Sequence, residues 1–456
     1  MNRISLLTAS ALALFAASAS AQDLTITNAT VATGDGSEPI AGATVVMRNG
    51  RIVAVGRGID PAASGETIDG SGLWVTPGIF ASVTTLGIVD VEAVSDSDDR
   101  SAGGSPFSAA LDVAPAINPV SQGIAVARTG GVTRATVMPN AGASIFGGQG
   151  AVIDLGADFD ALTVPRAFQT VEMGERGARL AGGSRTSVHA LLRNALREAS
   201  RYGEDARLTG TSRRGRVETG DDLELDPRMV GRAERDGDVL LTRFDAAALV
   251  PVVAGRQKLY VKVERAADIL AVLALREDFP RLDMVLVGAT EGWMVADRIA
   301  AARVPVIAVA LRDLPASFEQ MAATQSNVGR MVDAGVEVAI GGYDSRGDLP
   351  HGLPQQAGNM VAIARIPGAT GLTWGEALAS ITSVPARIAG VGDAGTLAEG
   401  SRGDLVLWDG DPLELSSAPV RVWIDGIEQP RVDHRTRLRD RYRDLDESDL
   451  PKAYDR

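Results

Sequence analysis

Met284-Val285-Leu286-Val287-Gly288-Ala289-Thr290-Glu291 is the stretch on which the fold turns. An unbroken apolar run that ends in glycine and polar residues has the pattern of a strand covered on both faces. An amphipathic helix is expected next, over about Gly292 to Ala302, followed by a second apolar strand over Val304 to Val309. Another helix, about Ser317 to Asp333, leads to a third strand, Val336 to Ile340. Strands alternating with helices are the habit of parallel sheets. Further along, Thr373-Trp374-Gly375-Glu376 has capping-box spacing and predicts a helix through Ile388. Upstream, Ser187 to Ala199 reads as helix and Leu259 to Glu264 as an alternating strand. The spacing suits a closed barrel better than an open sheet.

The chain ends have a different texture. Leu24-Thr25-Ile26-Thr27 alternates, Ala43 to Met47 is β-branched and apolar, and Asn49-Gly50 supplies a two-residue hairpin turn before Arg51 to Val55. The same texture returns in Asp404 to Trp408 and Val420 to Ile424, the latter followed by an Asp425-Gly426 turn. The two ends are expected to pair into one structure with the α/β middle inserted between them. The fold class is therefore α/β with a small β-sandwich built from both chain ends; a (β/α)8 TIM-like barrel is the expected middle, although periodicity alone does not separate it from an open sheet. The expected division is an export signal over residues 1–21, sandwich over 22–77 and 393–430, barrel over 78–392, and a charged extension over 431–456.

Two stretches interrupt the rhythm. Ser95 to Pro106 is acidic and rich in serine and glycine, and reads as a mobile cover near the barrel mouth. Gly203 to Gly237 is dense in charge and reads as a surface excursion with some helix. At the start, Asn2 and Arg3 form a short positive end, Ile4 to Phe15 is apolar, and Ala19-Ser20-Ala21 offers a cleavage site. The apolar run is too short to span a membrane, which takes about 20 residues. The expectation is a periplasmic or secreted protein of about 435 residues starting at Gln22. Lys+Arg number 45 against Asp+Glu 58, so the net charge of −13 argues against general nucleic-acid binding. No membrane partner is expected. The chain has no cysteine, hence no disulfide frame and no thiolate ligand, and its histidines are His189, His351 and His434.

The joins between sandwich and barrel carry a resemblance. Asn49 to Gly56, Ile68-Asp69-Gly70-Ser71-Gly72 and Val75-Thr76-Pro77-Gly78 resemble the N-terminal sequence of the amidohydrolase superfamily. Thr382-Ser383-Val384-Pro385-Ala386-Arg387, Gly395 to Gly400 and Asp404 to Pro412 are similar to its C-terminal motifs, and the exported imidazolonepropionase-like branch is the nearest in pattern. The resemblance implies a hydrolase acting on carbon–nitrogen bonds other than peptide bonds, with a metal held by histidines at strand ends. In Pro77-Gly78-Ile79-Phe80-Ala81-Ser82-Val83-Thr84-Thr85-Leu86-Gly87 those first-strand positions fall on Val83 and Thr85. Lys262 stands at the fifth-strand position, Gly288 or Ala289 at the sixth, and Asp344 is the candidate for the eighth-strand acid. A valine has no lone pair, and a neutral hydroxyl is a poor zinc ligand. No cofactor is expected, and zinc or another divalent metal enters only through ligands not foreseen here. The chain then reads as a pseudoenzyme of this fold.

Alternation along Leu259 to Glu264 should turn Lys262 into the barrel, where an ammonium needs a carboxylate. Asp344 is the expected partner. The pair is either a cationic plug replacing the metal's charge or a functional anchor or base. Thr84 and Thr85 could offer hydroxyls at the mouth, and His351 should lie in the eighth βα loop, on the functional face. His189 and His434 read as surface residues. Gly147-Gly148-Gln149-Gly150 lacks a phosphate-loop lysine and is expected to shape a loop at the mouth. Expected partners are a small-molecule ligand and a second copy of the chain or an intact homologue. The reading as metal-free enzyme, through Lys262 and Asp344, also stays open.

Overall fold

The computed structural model describes residues 21–60, 65–91, 93–210, 240–341 and 350–443. In chain order its strands begin with β1 (Leu24–Val31), β2 (Ile40–Arg48), β3 (Arg51–Gly56), β4 (Glu66–Asp69) and β5 (Trp74–Pro77). Next come β6 (Ile79–Thr84), β7 (Val132–Val137), β8 (Phe146–Asp154), β9 (Leu162–Glu172) and β10 (Lys258–Val263). The series ends with β11 (Met284–Gly288), β12 (Val306–Ala308), β13 (Val338–Ile340), β14 (Leu405–Trp408), β15 (Pro419–Ile424) and β16 (Ile427–Glu428).

Both chain ends build one sheet, in the order β16-β15-β14-β5-β1-β2-β3, with β4 also on β1. Its seam is the antiparallel pair of β5 with β14, in which Val75 faces Leu407 and Trp74 faces Trp408. Asn49 and Gly50 both have positive φ, as do Asp425 and Gly426, so each expected two-residue hairpin turn is present. The sheet curls back on itself. Ile52 donates its N–H to the Ser401 carbonyl at 2.9 Å, bringing the β3 edge against the segment before β14. Leu24, Ile26, Val45, Met47, Leu405 and Trp423 thereby share a small core.

The other eight strands follow the order β6 to β13, and a parallel bridge from Ser82 to Gly341 brings the two ends together. This is the expected barrel, with one difference. β8 runs antiparallel to both β7 and β9. The glycine run, expected as a loop at the mouth, lies inside β8. A side chain on Gly150 would collide with the Phe168 ring, so glycine there lets β8 close on β9. The interior is packed by Val83, Met138, Phe168, Tyr260, Val285 and Ile307, with Phe168 and Tyr260 stacked at 3.9 Å.

Two helices are shorter than the sequence pattern suggests, while the one expected over Ser187 to Ala199 is longer, running Arg185–Gly210. Over Ser317 to Asp333 there is a helical turn at Phe318–Gln320 and a helix only from Asn327–Asp333. Thr373 does close a capping box with Glu376, but the helix ends at Ala379 and a second runs Ser383–Ile388. Barrel and sheet are joined by Arg134 on β7, about 1% exposed. Its Nε lies 2.6 Å from Asp404 Oδ2 and its Nη2 2.7 Å from Asp425 Oδ2. The acid in the β15–β16 turn thus also grips the barrel.

Candidate active site at the barrel mouth

β6, β7 and β9 to β13 end at one face, and β8 begins there, so side chains at these termini meet. β10 shows why Lys262 is among them. Leu259, Val261 and Val263 pack outward against the main core, which turns Tyr260 and Lys262 into the barrel. Lys262 is 5% exposed, in register with Glu172 of β9 and Val287 of β11. Its Nζ donates to Asn140 Oδ1 at 2.9 Å. Glu172 Oε1, 3.1 Å from the same nitrogen, supplies opposite charge without an aligned hydrogen bond. Arg176 Nε stands 3.8 Å from that oxygen. Lys262 therefore has a buried carboxylate beside it, on the neighbouring strand. Asp344, the partner expected from sequence, lies outside the described residues.

Val83 is buried and held at φ 58°, a left-handed conformation rare for a β-branched residue. Its N–H donates to Thr136 Oγ1 at 2.7 Å where the β6–β7 register slips. Thr84 is a correction. Its hydroxyl donates to the Thr136 carbonyl at 3.0 Å and accepts from the Leu86 N–H at 3.3 Å, so it secures the strand end instead of facing the mouth. Thr85 is half-buried where β6 leaves the barrel. Gly288 has φ 96°, and a side chain there would strike the Glu264 carboxylate. Glu264 accepts from the Thr290 N–H and hydroxyl, and burial pushes its carboxyl above the usual range.

Beside it, burial pushes Glu319 up to about 7, although its Oε2 accepts from the Glu175 N–H at 2.6 Å and from Arg185. His351 is also a correction. It packs over Gly130, where the helix Gln122–Thr129 gives way to β7, and so sits at the opposite end of the barrel. Burial and Arg435 hold its imidazole below the usual range. The chain has crossed from the mouth to the base by Pro350. Of the other histidines, His189 is half-buried and His434 exposed.

Sequence reasoning missed Glu172 and Asn140. The signal for Glu172 was the alternation Phe168, Thr170, Glu172 toward the interior, beside a lysine that required an acid. Among the described residues, no three histidine or acidic side chains converge where a metal ion could be held. No described helix is long and apolar enough to cross a membrane.

The profile of the amidohydrolase family matches residues 172–427, more than half of the chain. An imidazolonepropionase from Cereibacter sphaeroides is 33% identical over 190 residues, covering 39% of this chain and 45% of that protein. The amidohydrolase tasK from Hapsidospora irregularis is 48% identical over 60 residues, 13% of this chain and 6% of that one. The chain thus spans less than half the length of either curated relative. A crystal structure of an amidohydrolase from Thermotoga maritima superposes with a TM-score of 0.76 at 22% identity, covering 90% of this chain and 100% of that one.

Proposed function

The chain belongs to the amidohydrolase family, and from that premise we propose that it binds a small molecule at the barrel mouth without metal-dependent hydrolysis. The observation that carries this reading is the Lys262 ammonium, 5% exposed and 3.1 Å from Glu172, at a strand end where the resemblance implies a metal ligand. A fixed cation there repels a divalent ion. Val83 contributes only hydrocarbon, the space beside Gly288 is filled by the Glu264 carboxylate, and Ala289 carries no ligating atom. Among the described residues, the groups at the mouth do not fit a water-activating metal, which needs several lone-pair donors around one open position.

Elemental analysis of the purified protein tests this together with a hydrolysis screen. Imidazolonepropionate, the compound in the relatives' name, and simple linear and cyclic amides are the substrates to try. The expected result is no stoichiometric zinc and no metal-stimulated turnover. About one zinc per chain, with turnover that a chelator abolishes, would sink the proposal.

A second reading, partner subunit of a histidine-complete homologue, draws on the loop after β12. Leu314, Phe318 and Met321 are 77%, 86% and 64% exposed there, an apolar rim beside the mouth. Copurification with such a homologue would favour it.

A further inference from the structure

The two ends of the Asn140 carboxamide are not interchangeable. Its Oδ1 accepts from Lys262 Nζ, and an ammonium has only donors, so turning the amide round would set donor against donor. Nδ2 therefore faces away from Lys262, and no acceptor for it is present among the described residues. Asn140 also lines a cavity of about 220 Å³ at the carboxyl face of the barrel. Phe107, Leu111, Phe146, Leu191 and Leu240 give that cavity apolar walls.

The charged group in the wall already has work within the fold. Asp245, 3% exposed, accepts from the Ser108 N–H at 2.8 Å, the Ala110 N–H at 2.9 Å and the Thr242 hydroxyl at 2.7 Å. Two N–H groups fill its Oδ1 and the Thr242 hydroxyl engages Oδ2, so the carboxylate holds the loop to the helix Arg243–Val253. Ser105 and Ser144 accept from the N–H groups of Phe107 and Phe146. What the wall offers a ligand is therefore hydrogen-bond donors, the Asn140 amide and the hydroxyl protons of Ser105, Ser108 and Ser144, set among apolar side chains, the usual makeup of a small-molecule site.

We propose that this cavity binds a small molecule with an apolar body and one carbonyl or carboxylate acceptor, held by Asn140 Nδ2. The inference rests on the metal-free reading of the mouth and names the ligand chemistry for it. Neutral amides and carboxylates share the required acceptor, whereas an amine of the same size has none.

Phenylacetate, phenylacetamide and phenethylamine are therefore the probes, titrated into the full chain by calorimetry and saturation-transfer NMR. The acid, the amide or both should bind, and the amine should not. Asn140→Leu should weaken binding about tenfold or more, the effect of losing one hydrogen bond that orients the ligand. Because that variant also deprives Lys262 of an acceptor, Leu240→Trp is the second arm. Its parent side chain is 46% exposed, and the indole should fill the cavity and abolish binding with the fold intact. No binding of acid or amide at millimolar concentration, equal binding of the amine, or undiminished binding by a folded Leu240→Trp protein would overturn the proposal. Absence of binding by zinc-free protein would sink the cavity alone. Zinc-dependent hydrolysis of phenylacetamide would sink the metal-free reading alone.

Discussion

Replacing Lys262 with methionine should cost stability, and replacing Glu172 as well should restore most of it. The two side chains are 5% and 7% exposed and 3.1 Å apart, so neither charge is well solvated when the other is removed. Breaking a buried pair from one side typically costs about 3–5 kcal/mol, because the surviving charge stays uncompensated. Lys262→Met belongs at the low end, about 3 kcal/mol, since Arg176 still stands 3.8 Å from the carboxylate. Glu172→Gln should cost less, about 2 kcal/mol, because Lys262 keeps the Asn140 oxygen as an acceptor. In the double variant Lys262→Met/Glu172→Gln no buried charge is stranded, and stability should return to within about 1 kcal/mol of the parent. The coupling between the two sites is then about 4 kcal/mol, above the roughly 0.5–3 kcal/mol that contacting residues usually show. Urea unfolding followed by circular dichroism, with the denaturant slope unchanged across the four proteins, measures it. The reasoning is refuted if Lys262→Met alone unfolds within 1 kcal/mol of the parent, or if the losses simply add.

Two further outcomes follow from the mouth. Gly288→Ala should destabilise by about 2 kcal/mol or more, because the methyl meets both a positive φ and the Glu264 carboxylate; an unchanged melting temperature would contradict this. Glu319, pushed up to about 7 by burial, favours the fold while protonated, so its contribution is present below the usual carboxylate range and lost as pH rises through about 7. Glu319→Gln keeps an acceptor for the Glu175 N–H and should flatten the fall in stability between about pH 5 and 8; an identical slope in chemical denaturation would count against it.

Much of the architecture was legible because it rests on local rules. Asn49-Gly50 and Asp425-Gly426 specify hairpin turns by backbone conformation alone, β10 alternates, and β11 to β13 lie in apolar runs of strand length. β8 was not legible. Its glycines serve a neighbour distant in sequence, with Gly150 making room for Phe168, and in isolation such a run reads as a loop. Helices over Ser317 to Asp333 and Thr373 to Ile388 were read too long, since apolar spacing continues across breaks set by tertiary contacts, such as Ser380 O accepting from the Ile340 N–H.

At the site, period-two alternation placed Lys262 inside. Its acidic neighbour depends on strand order, which a local pattern does not contain. His351 was misplaced for a related reason: sequence distance from β13 does not say when the chain leaves the mouth. It is at the base by Pro350.

The seam between β5 and β14 has a consequence for biosynthesis. Val75 waits for Leu407, so a growing chain carries an unpaired strand edge while hundreds of residues are still being added. Such edges invite association with other chains. A holding chaperone that covers the first strands would keep them available until β14 to β16 emerge. Release from the ribosome before residue 405 should leave a product that aggregates, however well its barrel has formed.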